Sequence, residues 1–163
     1  MILPIAKLPA HILRKDTQDL AFPLNKDVKR LIKDMLDTVK KAEGIGLAAP
    51  QVSRDLNLAL VYLEESGVPA FPLINPVITY RSRETVEVEE GCLSMPGVFG
   101  LVERPVKITV EAYDLKGKKI KLTDDGWIAR VMQHEIDHLH GTLIIDKLNE
   151  ITRGKDLLKK YQT

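Results

Sequence analysis

The 163-residue chain contains a single cysteine, Cys92. No intrachain disulfide can form, so the fold must rest on its core, and this usage suits a reducing compartment. A lone thiol is then a small buried residue or a participant in chemistry. Long apolar runs are missing too. The longest, such as residues 58–63, falls far short of the ~20 needed to cross a bilayer. The opening MILPIAKLPA has no charged start followed by an apolar stretch of signal-peptide length, and no Arg/Ser-rich transit character. Charge of one sign is also scarce. The chain carries 24 basic and 23 acidic side chains, a net +1, so neither a membrane surface nor a specific nucleic acid sequence is expected as a partner. There is no repeat and no linker. The expectation is one domain over residues 1–163, in a cytoplasmic protein of bacterial type; an organelle form with its targeting segment removed would read the same.

What is present is strong periodicity. Val28, Leu31, Ile32, Met35, Leu36, Val39 and Ala42 recur at spacings of three and four, which predicts a helix over 26–43. Asn25 can cap its start, and Gly44 can supply a left-handed stop. Residues 57–63 and 71–80 read as strands, with Pro72 and Pro76 favouring an edge or irregular course for the second. In residues 85–89 Thr and Glu alternate with Val, so one face should be wet. Residues 106–113 and 120–122 alternate around Gly117 and predict a hairpin. A second helix is expected over 126–140, capped by Thr123 or Asp124 and stopped by Gly141. A short strand over 143–148 and a weak helix over 150–161 follow. The fold class is α+β, with antiparallel strands packed around a buried helix that carries the motif described next.

Residues 133–139 read QHEIDHL. On a helix His134 and His138 lie about 40° apart, one turn above the other, so both imidazoles can reach one ion. Glu135 is turned aside by one step and can stand beside that ion as a general base without binding it. An HExxH pattern also arises by chance on charged helices. Here both histidines fall on the apolar stripe, with Trp127 and Val131, where an unsatisfied polar pair would be costly. His140 lies off the stripe and His11 has no partner in the sequence. Both read as solvated histidines.

Two histidines are too few for a catalytic site, which usually has three protein ligands and one open position. The downstream sequence offers little: Ile144 stands where a third histidine would fall in one longer pattern, and Glu150 is the sole glutamate after His138. Upstream, Cys92 sits in EEGCLSMPG at a strand end, and its thiolate would complete a Cys/His/His set suited to zinc or ferrous iron. GIGLAAPQ, residues 44–51, leaves a helix and does not open one, so its glycines do not form a phosphate loop. A helix stop accounts for Gly44. Gly46, Ala48 and Ala49 suggest close approach of another chain.

Taken together, GIGLAAPQ, EGCLS and HEIDH stand in the order found in the peptide deformylase family, and the chain resembles that family over most of its length. The resemblance implies removal of the N-formyl group from the initiator methionine of newly made polypeptides, by metal-activated hydroxide attacking the formyl carbonyl. It implies Fe2+ as the native metal, with Zn2+, Ni2+ or Co2+ able to substitute. Cys92, His134 and His138 match the family's ligands, Glu135 its catalytic carboxylate, and Gln51 and the Leu93 N–H its oxyanion donors. Formyl-methionyl nascent polypeptides would be the partners, with docking near the ribosome exit site. Ile45, Trp127 and Val131 would form an apolar slot for the methionine side chain. The peptide backbone would pair with Gly44, Ile45 and Gly46 on one side and Gly91 on the other, as an added strand.

Two other functions compete. A general metallopeptidase would cleave internal bonds of unformylated peptides. A metal-dependent binding module would need a defect in the catalytic set, and none is visible.

Overall fold

The computed structural model describes residues 1–162. Helix α1 spans Lys26–Lys41. Its start is the expected one: Asn25 Oδ1 accepts the Val28 N–H at 2.9 Å, a cap of the kind that contributes about 1 kcal/mol. Its end is not. The left-handed residue is Glu43, with φ 55°, not Gly44. Gly44 is required by space instead, since a Cβ there would lie 2.8 Å from Leu93 Cδ1.

Among the described residues eight strands follow: β1 (Gly46–Ala48), β2 (Leu58–Val61), β3 (Phe71–Arg81), β4 (Thr85–Gly91), β5 (Phe99–Pro105), β6 (Ile108–Tyr113), β7 (Lys119–Asp124) and β8 (Leu148–Arg153). They form a five-stranded sheet, β1-β2-β3-β6-β7, and a three-stranded sheet, β4-β5-β8. Every pairing is antiparallel. Of the edge or irregular course that its prolines suggested, β3 takes the irregular one and is an interior strand. Its irregularity absorbs them: the register shifts between Ile74 and Val77, around Pro76, and Asn75 turns to φ 49°. Asn75 then grips Leu20, whose N–H donates to its Oδ1 at 2.8 Å and whose carbonyl accepts from its Nδ2 at 2.9 Å. The β6–β7 hairpin forms as expected, with Gly117 at φ 83°.

Helix α2 spans Trp127–Leu139. Asp124 Oδ2 receives the N–H groups of Gly126 and Ala129 at its start, and Gly141, at φ 68°, lies just past its end. Ala129, Met132, Ile136 and Leu139 pack against Ala48, Ala59 and Val61, so α2 lies on the β1–β2 end of the larger sheet. Each large side chain buried this way contributes about 1.5–3 kcal/mol. α1 covers Leu47, Leu58 and Leu60. Two C-terminal expectations fail. Ile144–Asp146 is a single 3-10 turn, and the last strand is β8, which takes up the start of the helix expected over 150–161. Gly154, left-handed at φ 78°, separates β8 from a 3-10 helix over Lys155–Tyr161. Among the described residues no helix is long and apolar enough to cross a membrane.

Candidate active site

The end of β4 and the C-terminal half of α2 bring three donor atoms together. One atom each of Cys92, His134 and His138 lies within 4.8 Å of the others. His138 Nε2 is 3.3 Å from Cys92 Sγ, and the two imidazole centroids are 5.1 Å apart. Ligands at ~2.0–2.3 Å from a tetrahedral ion stand roughly 3.5 Å from one another, so this spacing fits one ion. A thiol and two imidazoles are donors for zinc or ferrous iron. His138 is only 1% exposed and its Nδ1 has no hydrogen-bond partner, so packing holds this ring.

His134 is held differently. Its Nδ1–H donates to Glu90 Oε1 at 2.9 Å, which leaves Nε2 for an ion. Glu90 is the hub of the site's charge. Arg104 donates to it through Nε at 2.6 Å and Nη2 at 2.9 Å, and Arg130 through Nη1. Arg104 also reaches Asp137 at 2.8 Å. Burial alone would push the Glu90 carboxyl up, but His134 and Arg104 hold it well below the usual carboxylate range. Burial pulls the His134 imidazole down, yet its contacts with Cys92 and Glu90 win and hold it well above the ordinary value. His138 shifts the opposite way, lowered by burial and by the charges of His134 and Arg104.

Glu135 sits beside the three donors. It is 3% exposed, and its Oε2 is buried without a partner. Burial, opposed by His134, pushes its carboxyl up to about 7. A carboxyl of this kind can take and return a proton near neutral pH. β1 passes directly over it, and Gly46 makes that possible: a Cβ there would lie 2.5 Å from Glu135 Oε1. Gly46 thus admits α2 of the same chain, where the sequence had suggested close approach of another chain.

Gln51 is buried, and the Ala48 N–H donates to its Oε1 at 2.9 Å. That bond sets the amide's orientation. Nε2 then directs its two N–H groups to Ser94 Oγ at 3.2 Å and, over a longer contact, to Cys92 Sγ at 3.7 Å. A cavity of about 450 Å3 opens over these groups, lined among others by Ile45, Gln51, Leu93, Trp127, Val131 and Glu135. Gly44, Gly46 and Gly91 also border it. Val131 is buried in its wall, whereas Trp127 is 59% exposed and Ile45 49% exposed, so these two form a rim and not an inner wall. The reason is position, because Trp127 is the first residue of α2. His140 lies outside, beside Asp16 at 3.2 Å.

Sequence reasoning passed over Glu90, Arg104, Arg130 and Ser94. A signal existed for Glu90. In β4 it has the parity of Val86 and Val88 and not that of Glu87 and Glu89, so it is an acid on the drier face of the strand.

Residues 2–154 match the model of the family described as polypeptide deformylase. A peptide deformylase of Thermodesulfovibrio yellowstonii is 40% identical over 164 residues, covering 99% of this chain and 98% of that one. The crystal structure of a Synechococcus elongatus peptide deformylase in complex with actinonin superposes with a TM-score of 0.87 at 35% identity, covering 98% of this chain and 85% of the other. A Met-Ala-Ser-bound class I type b peptide deformylase from Acinetobacter baumannii gives a TM-score of 0.86 at 30% identity, with 91% and 99% covered.

Proposed function

This chain belongs to the polypeptide deformylase family and removes the N-formyl group from the initiator methionine of new polypeptides; we propose that Glu135 is its general acid/base and that Cys92, His134 and His138 hold its metal ion. The observation that carries this reading is the partnerless, buried Oε2 of Glu135 beside three converging soft and borderline donors. Ferrous iron is the ion proposed, with zinc, nickel or cobalt as substitutes. When bound, the ion would supply Lewis-acid chemistry, lowering the pKa of a water and polarising the formyl oxygen.

The chain's own groups do the rest. Glu90 orients His134, and packing orients His138. Glu135 Oε2 takes a proton from the attacking water and passes it to the departing amine, so that formate and a free α-amino group result. As the formyl carbon becomes tetrahedral its oxygen gains charge. The Gln51 Nε2 N–H that makes the long contact to Cys92 Sγ, turned from the sulfur, and the backbone N–H of Leu93 would meet it, and losing one such donor typically costs about 10²–10³ in rate. The helix bearing the two histidines is the buried element around which these groups are arranged. Formyl carries only hydrogen on its carbonyl, and a crowded site can admit that and refuse a methyl.

The peptide backbone would lie as an added strand between Gly44, Ile45 and Gly46 and the end of β4 at Gly91, since β1 and β4 are both edge strands. The product-like Met-Ala-Ser ligand of the Acinetobacter baumannii protein supports a methionyl peptide in this cavity. The methionine side chain would enter between Ile45, Trp127 and Val131. New chains emerge at the ribosome, so docking near its exit site, in the cytoplasm, is part of the same reading. The test is formate release from formyl-Met-peptide set against the acetylated peptide and an unformylated one. Formate from the first alone is expected. Cleavage of internal bonds would favour a general metallopeptidase.

A further inference from the structure

We infer that Ala6 and Leu8 are positioning residues, whose backbone N–H groups strap together the two turns that carry the oxyanion donors and so set the distance between Gln51 and Leu93; the inference rests on the oxyanion role proposed above. The Ala6 N–H donates to the Gln51 carbonyl at 2.7 Å, and the Leu8 N–H donates to the Ser94 carbonyl at 3.0 Å. Three consecutive residues thus reach both turns, with the exposed Lys7 between the two donors.

Each turn is closed within itself. Ala49–Val52 forms a 3-10 turn, and the Ser53 and Arg54 N–H groups return to the Pro50 and Ala49 carbonyls, both at 3.0 Å. The Met95 N–H returns to the Cys92 carbonyl at 2.9 Å, with Leu93 inside the loop so formed. Little joins one turn to the other. Among the described residues no backbone hydrogen bond runs directly between them. The Gln51 side chain spans the gap to Ser94 Oγ and Cys92 Sγ, but the contact to sulfur is given up when the amide turns to the substrate. A donor that must move cannot also fix the spacing. A backbone strap can, and fixed spacing is what makes such donors effective.

The strap is anchored on both sides. The Leu3 N–H donates to Thr38 Oγ1 on α1 at 2.9 Å. Leu8 is buried with Leu13, Met95 and Val98, and Ala6 and Cys92 pack against the same cluster. Loss of either strap bond frees one turn to drift against the other, and a drift near 1 Å at a reacting group costs about 10²-fold in rate.

The experiment uses metal-loaded enzyme in which Ala6 or Leu8 is replaced by the hydroxy acid of the same side chain. The ester so formed lacks the N–H and keeps everything else. With formyl-Met-peptide, kcat should fall about tenfold or more in each variant while KM stays, the pattern of an interaction made only in the transition state. The metal content and the Kd of the deformylated peptide should also stay. Where the hydroxy acid is not tolerated, Ala6→Pro removes the same donor and decides by the same readouts.

The deciding comparison is with Gln51→Ala. Once that donor is gone its spacing no longer matters, so the Ala6 ester should cost only about twofold or less in that background, a coupling that mere destabilisation would not produce. Full kcat in both esters overturns the strap's role. So do losses that simply multiply with that of Gln51→Ala, and so does a raised KM with kcat kept. Full turnover in Gln51→Ala itself would instead overturn the oxyanion reading, and the strap's role would fall with it.

Discussion

Glu135 and Gly46 touch so closely that a Cβ on Gly46 would lie 2.5 Å from Glu135 Oε1 and 2.9 Å from its Cγ. β1 and α2 are packed through Ala48, Ala129 and Met132 in the same core, so neither can back away freely. Gly46→Ala should therefore displace the carboxyl. A shift near 1 Å at a reacting group costs about 10²-fold in rate. The expected result is a fall of that order in kcat/KM with the metal content unchanged, checked by steady-state assay and elemental analysis of the same sample. Normal turnover would mean that the carboxyl does not need this position.

Glu135→Gln keeps the shape and removes the proton carrier. Turnover should fall by about 10²–10⁴, the usual weight of positioned acid/base catalysis. The ion should stay, because the three ligand side chains are untouched. Lost metal, or near-normal formate release, would assign Glu135 a different role.

Much of this site lay open in the sequence because each part belongs to one local element. The stripe of α2 put His134 and His138 on the dry face, and the glycines around residue 46 signalled close approach, although of another chain and not of this chain's own Glu135. The charge hub stayed hidden because it is tertiary: Glu90 on β4, Arg104 on β5 and Arg130 on α2 meet only after the small sheet docks on the helix. The C-terminal misreading is periodic in origin. In β8 the half-buried residues Leu148 and Ile151 stand three apart, a helical spacing, because the strand meets a register shift against β5. β5 itself mixes Gly100, Glu103 and Arg104 among its apolar residues and gave no clean alternation.

Glu90→Gln tests the hub. An amide has one acceptor oxygen in place of two anionic ones, and it faces two buried arginines. Removing one partner of a buried ion pair costs about 3–5 kcal/mol, readable by urea unfolding. Loosening His134 should also weaken metal binding by about 10–100-fold in a competition assay. The pH dependence has a definite sign. Glu90's folded-state value lies below the ordinary glutamate value of 4.5. Its contribution is thus complete above that pH and is lost as pH falls below it. His134, held well above its ordinary value, stays charged through this window. In metal-free protein, wild type should lose stability more steeply than Glu90→Gln from pH 5 down to about pH 3. Parallel curves would refute the hub.

The last test concerns the ion. Chelation should abolish formate release, and re-addition of a divalent metal should restore it, because among the described residues Cys92, His134 and His138 are the one group of donors that could hold an ion. Oxygen then separates the metals. Zinc is redox-inert, whereas ferrous iron oxidises and leaves a sulfur ligand open to the same chemistry. Cys92 is half-buried and lines the cavity, so oxidants that enter the cavity can reach it. Enzyme purified without oxygen should carry iron and lose activity within hours in air. The same protein reloaded with zinc or nickel should keep its activity in air. Iron content and formate release measured together over time check this, and mass spectrometry of the Cys92 peptide should show added oxygen only in the aerated iron sample. Enzyme drawn from cells with zinc alone, fully active and stable in air, would refute iron and leave the hydrolase intact.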